Sequence, residues 1–203
     1  MRSSLPARSP VDERLYLITP ARPDLGSFLE AAVGGGVDIV QIREKGLADG
    51  ELLPRLEEAR EVTRRLAVPL VVNDRPDLAV LCEADFVHVG QADLPVPAAR
   101  AFELGVGQST HAPFEIDAAQ ADYIGVGPVY ATPTKEGRPA VGLDLVRYAA
   151  THARQPWFAI GGIDETNVGD VVAAGARRIA VVRAIGDAPD PERAAAALRA
   201  KLV

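Results

Sequence analysis

Leu70-Val71-Val72-Asn73 and Phe86-Val87-His88-Val89 are two short apolar runs, joined by Asp74-Arg75-Pro76 and a stretch that holds Ala79-Val80-Leu81-Cys82. Their length and their Val, Leu and Phe content suit buried parallel strands better than helices. Six more runs of this kind lie at 15–19, 38–43, 105–109, 123–127, 157–160 and 178–182. Between the runs sit Ala-, Glu- and Leu-rich stretches with helical spacing. Leu52, Leu56, Ala59 and Leu66 fall near one face of a helix that opens around Asp49. Asp164 is expected to open another helix that Gly175 closes, and Asp190-Pro191 to open the last, over 191–202.

Strand and helix alternate eight times, which predicts an α/β fold with a parallel sheet. Eight units favour a closed (β/α)8 TIM barrel over an open doubly wound sheet. At 203 residues the barrel would be close to minimal size. A short echo supports repeated units: Ala84-Asp85-Phe86-Val87-His88-Val89-Gly90 resembles Ala121-Asp122-Tyr123-Ile124-Gly125-Val126-Gly127. No linker interrupts the pattern, so residues 14–203 read as one catalytic domain behind a flexible N-terminal arm, 1–13. The one long connection, 128–142, has the length of a functional lid.

The composition is ordinary for a globular chain, with 48% hydrophobic and 25% charged residues. A net charge of −6 argues against a nucleic-acid partner, which would need a surplus of Lys and Arg on one face. An anionic ligand would therefore have to be met by local cations or a metal. No stretch is long and apolar enough for a membrane span, and the first residues lack the apolar core of a signal peptide. The single cysteine, Cys82, allows no internal disulfide and reads as a small core residue. The expected setting is the cytoplasm. A homo-oligomer is compatible with the sequence, which does not set the state.

In a barrel, chemistry sits at the C-terminal ends of the strands. The second run ends Gln41-Ile42-Arg43-Glu44-Lys45, and alternation puts Gln41, Arg43 and Lys45 on the inward face. Two cations and an amide are costly to bury without an anion, so this reads as a phosphate grip; the plainer alternative is an ion pair with Glu44 or a neighbouring carboxylate. The third and fourth runs lead to Asp74 and Asp93. Hard carboxylates beside a phosphate grip suit Mg2+, although Asp74 could instead cap a helix and Asp93 could be a turn residue. The fifth run ends Ser109-Thr110-His111, where the hydroxyls could bind phosphate or cap a helix and His111 could be an acid/base or a surface residue. His88 is expected inside the barrel and His152 on the surface. Thr132, Thr134 and Lys135 in the long connection could wrap a phosphate. Gly161-Gly162-Ile163 and Val182-Arg183 follow the seventh and eighth runs, where barrels place a backbone phosphate site. The residues thus imply two anion sites at one mouth, and transfer of some group from a diphosphate to a phosphorylated acceptor.

Taken in order, Gln41-Ile42-Arg43-Glu44-Lys45, Asn73-Asp74-Arg75, Gly90-Gln91-Ala92-Asp93, Ser109-Thr110-His111, the run from Gly127 to Lys135 and Gly161-Gly162-Ile163 resemble the thiamine phosphate synthase family. The resemblance implies a transferase of thiamine biosynthesis. It would join a hydroxymethylpyrimidine diphosphate to a thiazole phosphate, giving thiamine phosphate and diphosphate through a dissociative, carbocationic route. It further implies that Gln41, Ile42, Arg43, Glu44, Lys45, Asn73, Ser109 and Lys135 hold the pyrimidine diphosphate, with Arg43, Lys45, Lys135 and Ser109 acting in catalysis. Asp74 and Asp93 would hold one Mg2+. Thr132, Pro133, Thr134, Gly162, Val182 and Arg183 would hold the thiazole phosphate. Arg183 stands where many family members carry Ser, and arginine can still bind phosphate bidentately.

Three other readings compete, one of them a phosphate-binding barrel enzyme of another pathway. A related thiazole tautomerase resembles the chain at Ser109-Thr110-His111 but needs neither diphosphate nor metal. A binding protein would use the same anion sites without turnover.

Overall fold

The computed structural model describes residues 12–132 and 140–202. Each apolar run forms a strand: β1 (Leu15–Thr19), β2 (Ile39–Ile42), β3 (Leu70–Asn73), β4 (Phe86–Val89), β5 (Gly105–Thr110), β6 (Tyr123–Val126), β7 (Trp157–Ile160) and β8 (Ile179–Val181). The strands pair in parallel in chain order, and β8 closes onto β1 through Leu15↔Ile179, Tyr16↔Ala180 and Leu17↔Val181. The intervening helices are α1 (Leu25–Gly34), α2 (Asp49–Arg65), α3 (Pro76–Leu81), α4 (Val96–Arg100), α5 (Pro113–Ala118), α6 (Gly142–His152), α7 (Val168–Ala173), α8 (Arg183–Gly186) and α9 (Pro191–Arg199). This is the (β/α)8 barrel that the alternation predicts. Most of the proposed N-terminal arm, residues 1–11, lies outside the described residues, as do 133–139 of the long connection.

The period of two along each strand divides the core into two layers. Outward residues such as Leu17, Val40, Val72, Val87 and Ile124 pack under the helices in one continuous apolar cluster that includes Cys82. Inward residues Tyr16, Ile18, Ile39, Val71, Phe86, Tyr123, Phe158 and Ala180 fill the barrel. Four of these rings meet edge to face, with Tyr16 and Phe158 centroids 5.2 Å apart and Tyr123 and Phe158 5.8 Å apart. So many rings fit because β5 supplies glycines opposite them. A Cβ on Gly105 would overlap the Phe86 ring.

Two helix boundaries differ from the expected ones. Asp164 does not begin a helix. Its Oδ1 accepts from Thr166 N (2.9 Å) and Thr166 Oγ1 (2.6 Å), closing a local turn, and α7 starts only after Asn167. Such side-chain bonds to nearby backbone compete with helix and delay it. The last helix begins as expected, with Asp190 Oδ1 accepting from Arg193 N at 3.0 Å, and ends at Arg199 in a single turn to Leu202. The short α8 between β8 and α9 is an additional element, of the kind barrels use to hold phosphate.

Candidate active site

The loops after the strands surround a cavity of about 320 Å³, within the range of small-molecule sites. Gln41, Arg43, Asn73, Ser109, Thr132, Gly162, Val182 and Arg183 all line it. Eight sequence-selected residues from strands or loops far apart in the chain therefore meet at one mouth. Pro133, Thr134 and Lys135 lie outside the described residues.

On one side of the mouth, β2 ends at Ile42, and alternation gives its neighbours opposite fates. Gln41 is buried inside the barrel, where its amide donates to Tyr16. Ile42 belongs to the outer core, and burial under the helices takes its side chain off the inward face. Arg43 is half-buried beside the cavity, and its guanidinium has no hydrogen-bonding side chain among the described residues. The ion pair with Glu44 does not form. Glu44 Oε1 instead accepts from the backbone N–H groups of Lys45 and Gly46, both at 2.8 Å, and so shapes the loop.

Lys45 reaches the next loop, with its Nζ 3.1 Å from Asp74 Oδ2. Asp74 sits in the left-handed region at φ 61°, a conformation Asp tolerates, and caps no helix: α3 has Arg75 at its N-cap and no side-chain cap bond. Burial raises the Asp74 carboxyl above the usual carboxylate range; Lys45 opposes this, and the neighbouring Asp93 carboxylate reinforces it. Asp93 uses Oδ2 to accept from Gly90 N at 2.8 Å, so it is a turn residue as well as Asp74's neighbour. Two adjoining carboxylates repel unless a cation or proton lies with them. No third His, Cys, Asp or Glu groups with them among the described residues. That set fits Mg2+, which is held by one or two carboxylates and completes its shell with water and substrate phosphate oxygens. Arg75, although part of the same sequence motif, points to structure: it pairs with Asp49 at 2.5 and 2.9 Å and with Asp77 at 2.7 and 2.9 Å. These bonds tie the Asp74 turn to the start of α2, downstream of Lys45.

On the opposite side, Gly161 and Gly162 follow β7 at φ 105° and 65°. A Cβ on Gly162 would stand 2.8 Å from Tyr130 Cβ and 3.0 Å from the Ala131 carbonyl oxygen, so only glycine keeps this turn against the long connection. Asn167 braces it from below. Its Nδ2 donates to Gly162 O at 2.8 Å and its Oδ1 accepts from Asp164 N at 3.0 Å. Arg183 opens α8, whose first turn has no side-chain cap. Leading N–H groups of a helix have no internal partner, and their dipole favours an anion. Between the two sides, Ser109 faces inward from β5, nearly buried, with Oγ 3.0 Å from His88 Nε2 and its carbonyl accepting from Gln91 Nε2 at 2.8 Å. His111 Nδ1 is held against the Gly127 carbonyl and its backbone N–H against Glu115, and the residue lines the cavity. His152 is exposed and stacks on Tyr148, as expected for a surface residue.

The residues that sequence reading missed are the braces: Asn167, Arg75, Gln91 and the barrel tyrosines. Gln91 and the tyrosines act on groups remote in sequence, Arg75 reaches Asp49 as well as nearby Asp77, and Asn167 acts locally on Asp164 and Gly162, so what each holds is set by the folded loops rather than by its residue type.

A closed parallel barrel with cations and acids on one rim and a glycine turn and helix start on the other defines an enzyme of phosphorylated small molecules. Comparison with known proteins narrows this. Residues 15–185 match the family model described as thiamine monophosphate synthase. The thiamine-phosphate synthases of Thermobifida fusca and Thermus thermophilus are 54% and 53% identical to this chain over 94% and 93% of it, and over 92% and 97% of their own lengths. A solved thiamine phosphate pyrophosphorylase from Pyrococcus furiosus superposes with a TM-score of 0.84 at 30% identity, covering 93% of this chain and 95% of that one. A solved 3-hexulose-6-phosphate synthase shares the fold alone, at TM-score 0.69 and 20% identity over 94% of this chain and 100% of that one. The chain belongs to the thiamine monophosphate synthase family.

Proposed function

We infer that the protein condenses 4-amino-2-methyl-5-(diphosphooxymethyl)pyrimidine with 4-methyl-5-(2-phosphooxyethyl)thiazole to thiamine phosphate and diphosphate. The observation that carries this reading is a cavity lined by Arg43 and Asn73 on one side and by Gly162 and the start of α8 on the other, with the Lys45–Asp74 pair and Asp93 on the loops that follow β2, β3 and β4, beside the first side rather than in the lining. A diphosphate suits the first, where cations and a metal can share its charge, and a monophosphate suits the second, where backbone N–H groups predominate.

Asp74 and Asp93 would hold Mg2+, which supplies Lewis-acid stabilisation of the charge that builds on the departing diphosphate. Arg43 and Lys45 hold the diphosphate oxygens, with Asn73, Ser109 and Lys135 completing the grip. The carbon–oxygen bond breaks first, and its electron pair leaves with the diphosphate. The electron-rich pyrimidine ring bears the resulting cation on its methylene carbon. The thiazole nitrogen then donates its lone pair to that carbon and becomes the thiazolium of the product. No proton is transferred, so the site needs no strong base, in keeping with a His111 bound to backbone. Thr132, Thr134, Gly162, Val182 and Arg183 hold the thiazole phosphate so that its nitrogen is aligned before the bond breaks. Catalysis is then charge stabilisation and positioning.

The test is to incubate the purified protein with both phosphorylated substrates, with Mg2+ and with excess chelator. Thiamine phosphate and diphosphate are expected in equal amounts, and only with metal. Condensation at equal rates in chelator would remove the metal assignment. Metal-free isomerisation of a thiazole carboxylate phosphate, without condensation, would replace the reading with the tautomerase one. We place the reaction in the cytoplasm, as the sequence leads us to expect; no described helix is long and apolar enough to cross a membrane.

Asn167 supplies a prediction specific to the acceptor side. Asn167→Ala frees the Gly162 carbonyl and the Asp164 N–H together. The KM for the thiazole phosphate is expected to rise about tenfold, as for loss of a hydrogen bond that holds a charged ligand's partner, while the KM for the pyrimidine diphosphate is unchanged. Steady-state titration of each substrate reads both; equal shifts would assign Asn167 to general stability.

A further inference from the structure

Beneath the mouth, a chain of polar side chains crosses an otherwise aromatic barrel interior. Gln41 Nε2 donates to Tyr16 Oη, and Tyr16 Oη lies 2.9 Å from Tyr123 Oη. Tyr123 Oη lies 3.2 Å from His88 Nδ1, and His88 Nε2 lies 3.0 Å from Ser109 Oγ. Tyr16 is 2% and Tyr123 0% exposed, so water cannot take over these bonds. A buried polar group left unpaired is costly, and a chain of five such groups is kept only if every link is made.

Proton counting gives the chain a direction. The amide of Gln41 is the donor to Tyr16, so the one phenolic proton of Tyr16 goes to Tyr123. The one proton of Tyr123 then goes to His88 Nδ1. An imidazole that accepts at Nδ1 carries its proton on Nε2, and so donates to Ser109 Oγ. The proton of Ser109 itself is thereby turned away from His88. The reverse direction would need the Gln41 amide turned so that its oxygen accepted from Tyr16. Burial raises both phenols well above their ordinary range, so both remain donors. Space is reserved for the central link: a Cβ on Gly107 would overlap the Tyr123 ring and stand 2.6 Å from His88 Nδ1.

We propose that Tyr16, Tyr123 and His88 are positioning residues that set the Ser109 hydroxyl as a one-way donor to the anion in the cavity. A serine facing an anion can offer either its proton or its lone pairs. Only the first attracts, and the chain selects it before substrate arrives. The proposal rests on the reading that Ser109 contacts the pyrimidine diphosphate, and it assigns the residues that prepare that contact.

Tyr123→Phe removes the proton that fixes His88. The imidazole can then move its proton to Nδ1, and Ser109 turns to donate to Nε2, presenting lone pairs to the anion. Tyr123→Phe is expected to lower kcat about tenfold without changing the KM for the thiazole phosphate. Ser109→Ala should lower kcat at least as much, and the double variant should be no slower than Ser109→Ala alone. Multiplying losses would overturn the proposal, because Tyr123 would then act by packing. A Ser109→Ala enzyme with undiminished rate would overturn the Ser109 contact itself. The tautomer of His88 is read separately, by long-range 1H–15N correlation on the intact protein: protonated Nε2 in the parent and Nδ1 in Tyr123→Phe. A parent protonated at Nδ1 would overturn the proposed direction whatever the rates, and this measurement stands even if Tyr123→Phe folds poorly.

Discussion

Asp74→Asn is expected to lower turnover by about 10²–10³-fold, and Asp93→Asn to do the same, with the barrel intact. The magnitude is that of losing one preorganised group that meets charge developing in the transition state, about 2.7–4 kcal/mol. Asn is nearly isosteric with Asp and tolerates the left-handed backbone that Asp74 adopts at φ 61°. The Asp93 turn survives too, because an amide oxygen can still accept from Gly90 N. What each change removes is one negative charge from the pair, and with it affinity for a divalent cation. Raising Mg2+ should therefore recover part of the rate in both variants. Circular dichroism checks the fold and a metal titration of the initial rate checks the cause. Near-normal rates in both variants would end the assignment of these carboxylates to the metal.

Arg43→Gln is expected to have a comparable effect of different form. The half-buried guanidinium of Arg43 has no carboxylate paired with it among the described residues, unlike Lys45, which is paired with Asp74, and Arg75, which is clamped between Asp49 and Asp77. Its charge is therefore available to the diphosphate. Because charge on the leaving group grows as the carbon–oxygen bond stretches, the interaction is stronger in the transition state than in the ground state. kcat should then fall about 10²–10³-fold, and kcat/KM at least as far, rather than KM rising alone. Arg43→Lys should fall between the two, since the charge persists but the two-pronged geometry does not. A rise in KM with kcat unchanged would make Arg43 a binding residue only.

Asp74, Asp93 and Arg43 stand out at strand ends for a reason particular to barrels. A parallel strand buried on both faces has no polar residue to spare, so Gln41, Arg43, Asn73 and Asp74 at the end of such a run already call for a partner or ligand. A residue whose role depends on another's neighbour is not legible in this way. Ile42 and Glu44 lie within the same motif as Arg43, yet the pleat sends Ile42 under the helices and the loop turns Glu44 onto its own backbone. Asp164 looked like a helix start because its type suits an N-cap, but its bonds to Thr166 spend it on a turn. Asn167, one turn further on, is what holds the Gly162 carbonyl.

The (β/α)8 class and the rim on which the chemistry sits follow from local pattern, since burial on both faces of each strand and the short helical spacers admit few other arrangements. Hydrophobic burial needs only the right type of residue at the right period, and a linear chain records that. Whether Lys45 meets Glu44 or Asp74, and which way the protons run from Gln41 to Ser109, are matters of a few ångströms between strands far apart in sequence. Hydrogen bonds and ion pairs are short-ranged and directional, so their partners exist only once closure of β8 onto β1 has set the circle of strands.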